Sequence, residues 1–69
     1  PEERKEELIP VIVNMASKDA HSEVRAAAIE VLMNWDDESI DEIAIKGIET
    51  DSSYLIIAAS LQVLFRNFC

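Results

Sequence analysis

Few residues in this chain could perform covalent chemistry. His21 is the only histidine and Cys69 the only cysteine, so a histidine-based catalytic pair, a histidine-rich metal site and a cysteine zinc cluster are excluded within these 69 residues. No nucleophile is placed for His21 to activate, and Ser52 and Ser53 lack the Gly-x-Ser-x-Gly setting of a hydrolase nucleophile. We therefore expect no catalysis, no metal and no cofactor. We expect His21 in the turn between two helices, and Ser52 or Ser53 as the N-cap of the fourth helix.

A cluster of acidic residues around the only tryptophan is the strongest candidate for binding another molecule. It comprises Trp35, Asp36, Asp37, Glu38, Asp41 and Glu42. Carboxylates can bind hard cations, but the ligand spacing and turn glycine of an EF-hand loop are missing. The cluster therefore predicts either a solvated outer helix face or an electrostatic patch that attracts a basic partner. Trp35 is either an anchor in an interface or part of the core at the edge of a helical hairpin.

Composition limits the classes of protein that remain. Six Lys and Arg against fourteen Asp and Glu give a net charge of −8, the wrong sign for binding a phosphate backbone, so we expect no nucleic-acid partner. Hydrophobic residues make up 49% of the chain, too many for a disordered acidic tail. The longest apolar stretch, residues 54–65, is shorter than the roughly 20 residues that cross a bilayer. We expect a soluble protein without a membrane partner; the compartment stays open, with the cytoplasm favoured.

Apolar residues recur at the spacing of buried stripes on four α-helices. The stripes are Leu8, Val11, Ile12, Met15 and Ala16; Val24, Ala27, Ala28, Val31 and Leu32; Ile40, Ile43, Ala44, Gly47 and Ile48; and Ile56, Ala59, Ser60, Val63 and Leu64. Polar segments at residues 17–22, 34–39 and 49–53 separate them. Ser39 and Glu42 have the spacing of a capping box for the third helix. The sequence predicts an all-α fold with short turns.

The two halves of the chain match when one is shifted by 32 residues. The shift lays Glu6 on Glu38, Asp19 on Asp51, Ala26 on Ala58, Ala27 on Ala59, Val31 on Val63 and Leu32 on Leu64, and it pairs Leu8 with Ile40, Val11 with Ile43, Val13 with Ile45, Ile29 with Leu61 and Met33 with Phe65. A fixed period of this length is typical of a solenoid. We therefore predict one helical-repeat module, residues 1–69, made of two stacked antiparallel hairpins, residues 1–35 and 36–69.

The first unit resembles a HEAT repeat. Residues 8–32, LIPVIVNMASKDAHSEVRAAAIEVL, have a proline in the first helix, a short polar turn, then a Val-Arg pair and the alanines of the second helix. Residues 40–64 resemble the family more weakly, because Ile57 stands in place of the arginine. The resemblance implies an α-α superhelix of armadillo type that acts as a non-catalytic scaffold for protein-protein or interdomain contacts.

One departure concerns the polar ladder that the family forms between an acidic residue and this arginine. The acidic residue commonly stands three positions before the valine of the Val-Arg pair, and His21 and Ser53 hold those places here. Asp19 or Asp51 would have to substitute.

The fourth helix is apolar around most of its circumference. Its apolar residues are Leu55, Ile56, Ile57, Leu61, Val63, Leu64, Phe65 and Phe68. Such a helix is typical of a buried position, yet in a module of two units it lies at the end. We therefore expect a fragment of a longer chain, in which further repeats or another domain cover this helix.

Two other resemblances leave the function open. Residues 51–64, DSSYLIIAASLQVL, are also similar to repeats in the helical domain that follows the catalytic domain of gluzincin aminopeptidases. In that case the zinc-binding HExxH motif would lie outside this chain. The period is also similar to that of the short HEAT-like repeats of phycobilin lyases, although nothing marks a pigment-binding residue. The expected partner is a protein, or the adjacent repeats or domain of the parent chain.

Overall fold

The computed structural model describes residues 4–68, which form four α-helices and no strand. The helices are α1, Lys5–Lys18; α2, Ser22–Asn34; α3, Ile40–Thr50; and α4, Tyr54–Phe65. The all-α prediction is confirmed, and each observed turn falls within a predicted polar segment. Among the described residues, no helix is long and apolar enough to cross a membrane.

The helices pack as two hairpins. α1 packs along α2 to form hairpin one, and α3 packs along α4 to form hairpin two. The hairpins meet mainly where α2 lies beside α4, with a smaller contact between α2 and α3. Within residues 4–68, α1 makes little or no contact with α3 and α4. The molecule measures 34 × 32 × 16 Å, a thickness that fits two layers of helices packed about 10 Å apart.

All four helices contribute to the buried core. Its members are Ala16, Ala28, Ile29, Leu32, Ile40, Ala44, Ile56 and Val63. Small residues let the helices approach each other closely. At Gly47 in α3, an added Cβ would lie 2.6 Å from Ser60 Oγ and 3.0 Å from Ile56 Cγ2 in α4. The spacing of α3 and α4 therefore depends on a residue without a side chain.

An aspartate stands two residues before the N-cap of α2, α3 and α4. The pairs of aspartate and N-cap residue are Asp19 with His21, Asp37 with Ser39, and Asp51 with Ser53. In each pair the backbone N–H of the N-cap residue donates to the aspartate carboxylate, at 2.9, 3.0 and 2.9 Å respectively. An Asx turn thus leads into each of these helices.

The predicted capping box at α3 is wrong. Ser39 is the N-cap residue, but its side chain makes no cap hydrogen bond, and its hydroxyl donates to Asp37 instead. Ser53 likewise occupies the N-cap position of α4 without a side-chain cap bond. The aspartate before each serine instead accepts the backbone N–H of that serine, which is a different hydrogen bond from the one predicted for the serine side chain.

Candidate functional site

The acidic cluster predicted from the sequence forms one corner of the molecule, at the turn from α2 to α3. We call Trp35, Asp36, Asp37, Glu38, Asp41 and Glu42 the acidic corner. Arg66, just after α4, reaches back to it: Arg66 Nη1 lies 2.9 Å from Asp41 Oδ1 and Arg66 Nη2 lies 3.6 Å from Asp36 Oδ1. The hydrogen bond that Arg66 donates to Asp41 is the main cause of the raised pKa of Arg66. The corner is therefore tied to the end of α4, a contact that sequence spacing did not suggest.

Trp35 is half-buried and is covered in part by the start of α1. Lys5 Nζ donates to the backbone oxygen of Trp35 at 3.2 Å and lies 5.8 Å from the centroid of its ring. That distance is within the range of a cation–π interaction. The tryptophan thus joins the two ends of hairpin one while part of its ring stays open to solvent.

The carboxylates of the acidic corner have different uses. Asp37 is half-buried and binds the start of α3; the hydroxyl of Ser39, and then its backbone N–H, lower the pKa of Asp37. Glu38, which precedes α3, and Glu42, in the first turn of α3, are both exposed. These two side chains, with Asp36 and Asp41, are the ones that an incoming molecule can meet.

A second polar cluster joins the two hairpins. Arg25 Nη1 donates to the backbone oxygen of Asp19 at 2.7 Å, and Arg25 Nη2 donates to Asp51 Oδ2 at 2.9 Å. The side chains of Arg25 and Asp51 are only 17% and 20% exposed, so solvent screens this ion pair less than a surface pair. Asp51 therefore supplies the acidic partner of Arg25, and Asp19 contributes its carbonyl group.

His21 lies in the exposed turn between α1 and α2, as predicted. Its Nδ1 lies 3.3 Å from Asp19 Oδ1, and its backbone N–H is the main cause of the lowered pKa of Asp19. The histidine is thus placed beside a carboxylate that orders a turn. Cys69 lies outside the described residues.

A groove of about 430 Å³ lies between α1 and α3, and residues of α2 and α4 also line it. It is lined by Val13 and Ala16 of α1, Ile43 of α3, and Arg25 and Ile29 of α2, among others. The charged residues Lys18, Glu42, Lys46 and Asp51 also line it, so the groove between the hairpins is apolar only in part.

Residues 32 positions apart are not equally exposed. For some pairs the residue of hairpin one is the more exposed, and for other pairs it is the residue of hairpin two. Val31 is 36% exposed whereas Val63 is 0% exposed. In contrast, Ile29 is 1% exposed whereas Leu61 is 42% exposed. Because each pair has the same place in its own hairpin, the neighbouring hairpin causes the difference.

These differences define two exposed apolar faces. The leading face belongs to hairpin one and consists of Leu8, Val11, Met15, Ala27 and Val31, whose matched residues Ile40, Ile43, Gly47, Ala59 and Val63 are buried or half-buried. The trailing face belongs to hairpin two and consists of Ile45, Ile48, Ala58, Leu61 and Phe65, whose matched residues Val13, Ala16, Ala26, Ile29 and Met33 are buried or half-buried. The helical period placed Leu8, Val11, Met15, Ala27, Val31 and Ile48 in buried stripes, and that prediction is wrong for these six residues, because the packing decides which side each hairpin leaves open.

No protein family, curated protein or solved structure matches this chain. Geometry identifies three candidate surfaces: the acidic corner, the leading face and the trailing face.

Proposed function

We propose that this chain is a non-catalytic helical-repeat scaffold of the HEAT type, whose stacked hairpins bind another protein or adjacent parts of a parent chain. The exchange of exposure between matched positions carries the proposal. In a closed four-helix bundle, matched positions of two hairpins would face one central core and would be buried alike. Stacking by translation instead leaves one apolar face bare at each end, as for Val31 and Leu61.

The link through Arg25 supports the same arrangement. The arginine of hairpin one binds the aspartate before the second helix of hairpin two, at the position matched to Asp19 in its own hairpin. A contact that joins matched positions of successive units is what a repeated translation produces. The HEAT resemblance of residues 8–32 is consistent with it.

Binding, rather than chemistry, suits the exposed surface. Exposed apolar side chains gathered on one side of a molecule mark sites of protein interaction, and each face presents five apolar residues. The acidic corner adds a region that attracts basic partners. The alternative, a helical domain of a zinc aminopeptidase, has the same kind of architecture, and no contact within residues 4–68 favours it over a scaffold.

Adding a third hairpin in the same chain tests the scaffold proposal. A copy of residues 36–67 joined directly after Asn67 keeps the 32-residue period. In the added hairpin, the copies of Ile40, Ile43, Ala59 and Val63 would then pack against Leu61 and Phe65. We expect one cooperative unfolding transition at a higher melting temperature, because the added hairpin covers apolar surface. Leu61→Cys introduces a single cysteine that a thiol reagent can label. This cysteine should be labelled more slowly in the three-hairpin chain than in a two-hairpin chain that carries both Leu61→Cys and Cys69→Ser.

The matched control places glutamate at the position of the added hairpin that corresponds to Val63. This charge should prevent stacking and restore both the labelling rate and the original melting temperature. Two separate transitions, or equal labelling with and without the added hairpin, would contradict stacking by translation.

A further inference from the structure

At a shift of 32 residues, the exposed positions of each apolar face of this molecule match positions that are buried or half-buried in the other hairpin. The leading face matches residues of hairpin two that are covered in the fold: Leu8 corresponds to Ile40, Val11 to Ile43, Ala27 to Ala59 and Val31 to Val63. The trailing face matches covered residues of hairpin one: Val13 corresponds to Ile45, Ala26 to Ala58, Ile29 to Leu61 and Met33 to Phe65. The leading face of a second copy would therefore meet the trailing face much as hairpin two meets hairpin one.

We propose that copies of this chain associate head to tail, with the trailing face of one copy against the leading face of the next. The inference rests on the proposed function, because it takes the junction between two hairpins as the template for the junction between two copies. α4 has no charged residue from Tyr54 to Phe65, so its exposed side can be covered without desolvating a charge. Because the two faces differ, the contact is heterologous and each complex keeps one open face of each kind.

Electrostatics oppose this association. Each copy carries a net charge of −8, so copies repel one another at low ionic strength. Added salt screens the repulsion, and association between copies should strengthen as salt rises. Binding of a basic partner to the acidic corner would show the opposite dependence.

The junction between copies lacks one contact of the internal junction. Within the chain, Arg25 binds Asp51 across the hairpins. Between copies, Ile57 of one copy takes the place of Arg25, and Asp19 of the next copy takes the place of Asp51. The donor arginine is therefore missing, while the acceptor carboxylate is present. Asp19 is held by the N–H of His21 just as Asp51 is held by the N–H of Ser53.

Sedimentation equilibrium of the full chain over about 1 µM to 1 mM, a range that covers affinities of about −8 to −4 kcal/mol, tests the proposal. The mass of 7.7 kDa should rise with concentration past that of a dimer. Val31→Glu blocks the leading face and Leu61→Glu blocks the trailing face, so each variant alone should stay monomeric. An equimolar mixture of the two should form a one-to-one dimer and nothing larger, because each variant keeps the face that the other has lost.

Circular dichroism shows whether each variant folds, and Ala27→Glu and Phe65→Ser serve as second variants for the two faces. A mass of 7.7 kDa at all concentrations and at high salt overturns the proposal. So does dimerisation of Val31→Glu alone, which would indicate a symmetric contact between trailing faces.

A gain of affinity tests the register of the contact. Ile57→Arg should tighten association about fivefold, the upper range for a partly exposed ion pair, and Asp19→Asn in the same chain should remove the gain. An equal gain with and without Asp19→Asn would place the copies in another register and overturn the proposal. If a third hairpin stacks within one chain while separate chains stay monomeric, this inference fails and the scaffold proposal stands.

Discussion

At the scale of single residues, three aspartates order the starts of α2, α3 and α4. Asp19, Asp37 and Asp51 each accept a backbone N–H two residues later. Placed before a helix, a carboxylate also lies where the helix dipole favours negative charge. Asp51 has a further role, since it binds Arg25 of the other hairpin. Part of the acidic composition of this chain is thus structural and is not available for partners.

Asp37→Asn should weaken the fold near neutral pH and have progressively less effect in acid. The pKa of Asp37 is lowered in the folded chain, chiefly by the Ser39 hydroxyl, so its charged form stabilises the fold above the unfolded pKa of about 4. That contribution disappears as the pH falls through the folded pKa. Thermal unfolding at a series of pH values measures it. Glu38→Gln removes a neighbouring exposed charge as the control, and parallel pH profiles for the two variants would count against this role of Asp37.

Ile29→Ala and Leu61→Ala should differ strongly in cost although the residues are matched in register. Ile29 is 1% exposed and Leu61 is 42% exposed. We expect a loss of about 2 to 4 kcal/mol in the free energy of unfolding for Ile29→Ala, and less than about 1 kcal/mol for Leu61→Ala. Urea denaturation of dilute protein measures both values. Equal losses would mean that the two positions share one core.

At the scale of helices, the number and type of the elements followed from the sequence. The helical period and the polar breaks are local signals, so they predicted four helices correctly. The contacts of Arg66 with Asp36 and Asp41 join residues 25 or more positions apart, and no local pattern indicates them. The capping box was mispredicted for another reason: Ser39 is a common N-cap residue, but its hydroxyl donates to the aspartate two positions earlier and makes no cap hydrogen bond.

Gly47→Ala should destabilise the contact between α3 and α4, although alanine favours helix by about 1 kcal/mol over glycine. The added methyl group would lie 2.6 Å from Ser60 Oγ and 3.0 Å from Ile56 Cγ2, so either these side chains would have to move or the two helices would have to separate. Ser60 Oγ is buried and has no hydrogen-bond partner among the described residues, so Ser60→Ala alone should raise the free energy of unfolding by up to about 1 kcal/mol.

The double variant Gly47→Ala/Ser60→Ala tests the cause of this effect. With the hydroxyl gone, the nearest atom of residue 60 would be its Cβ, at 3.7 Å, an ordinary contact, while Ile56 Cγ2 would remain tight at 3.0 Å. The cost of Gly47→Ala should therefore be much smaller in the Ser60→Ala background. Additive effects in a double-mutant cycle, measured by chemical denaturation, would show that the hydroxyl is not the obstacle.

At the scale of the whole molecule, apolar surface and charge act against each other. The chain leaves ten large apolar side chains exposed among residues 4–68 while it carries a net charge of −8. The net negative charge makes separate molecules repel one another, which keeps their apolar faces apart. The carboxylates within one molecule also repel one another, which destabilises the fold. Where the faces lie depends on how one hairpin rests on the other, and for this reason periodicity alone could not assign them to a side.

Salt should therefore stabilise the isolated fold. Between about 0.02 and 0.5 M sodium chloride the screening length shortens from roughly 20 Å to about 4 Å, which removes most repulsion between exposed carboxylates. The partly buried pair of Arg25 and Asp51 is screened less, so the balance favours a rising melting temperature at a concentration where the chain is monomeric. Replacing Glu38 and Glu42 by lysine changes the charge by two at each position, from −8 to −4, and should reduce the dependence on salt. A melting temperature that falls with salt would mean that ion pairs such as that of Arg25 outweigh the net repulsion.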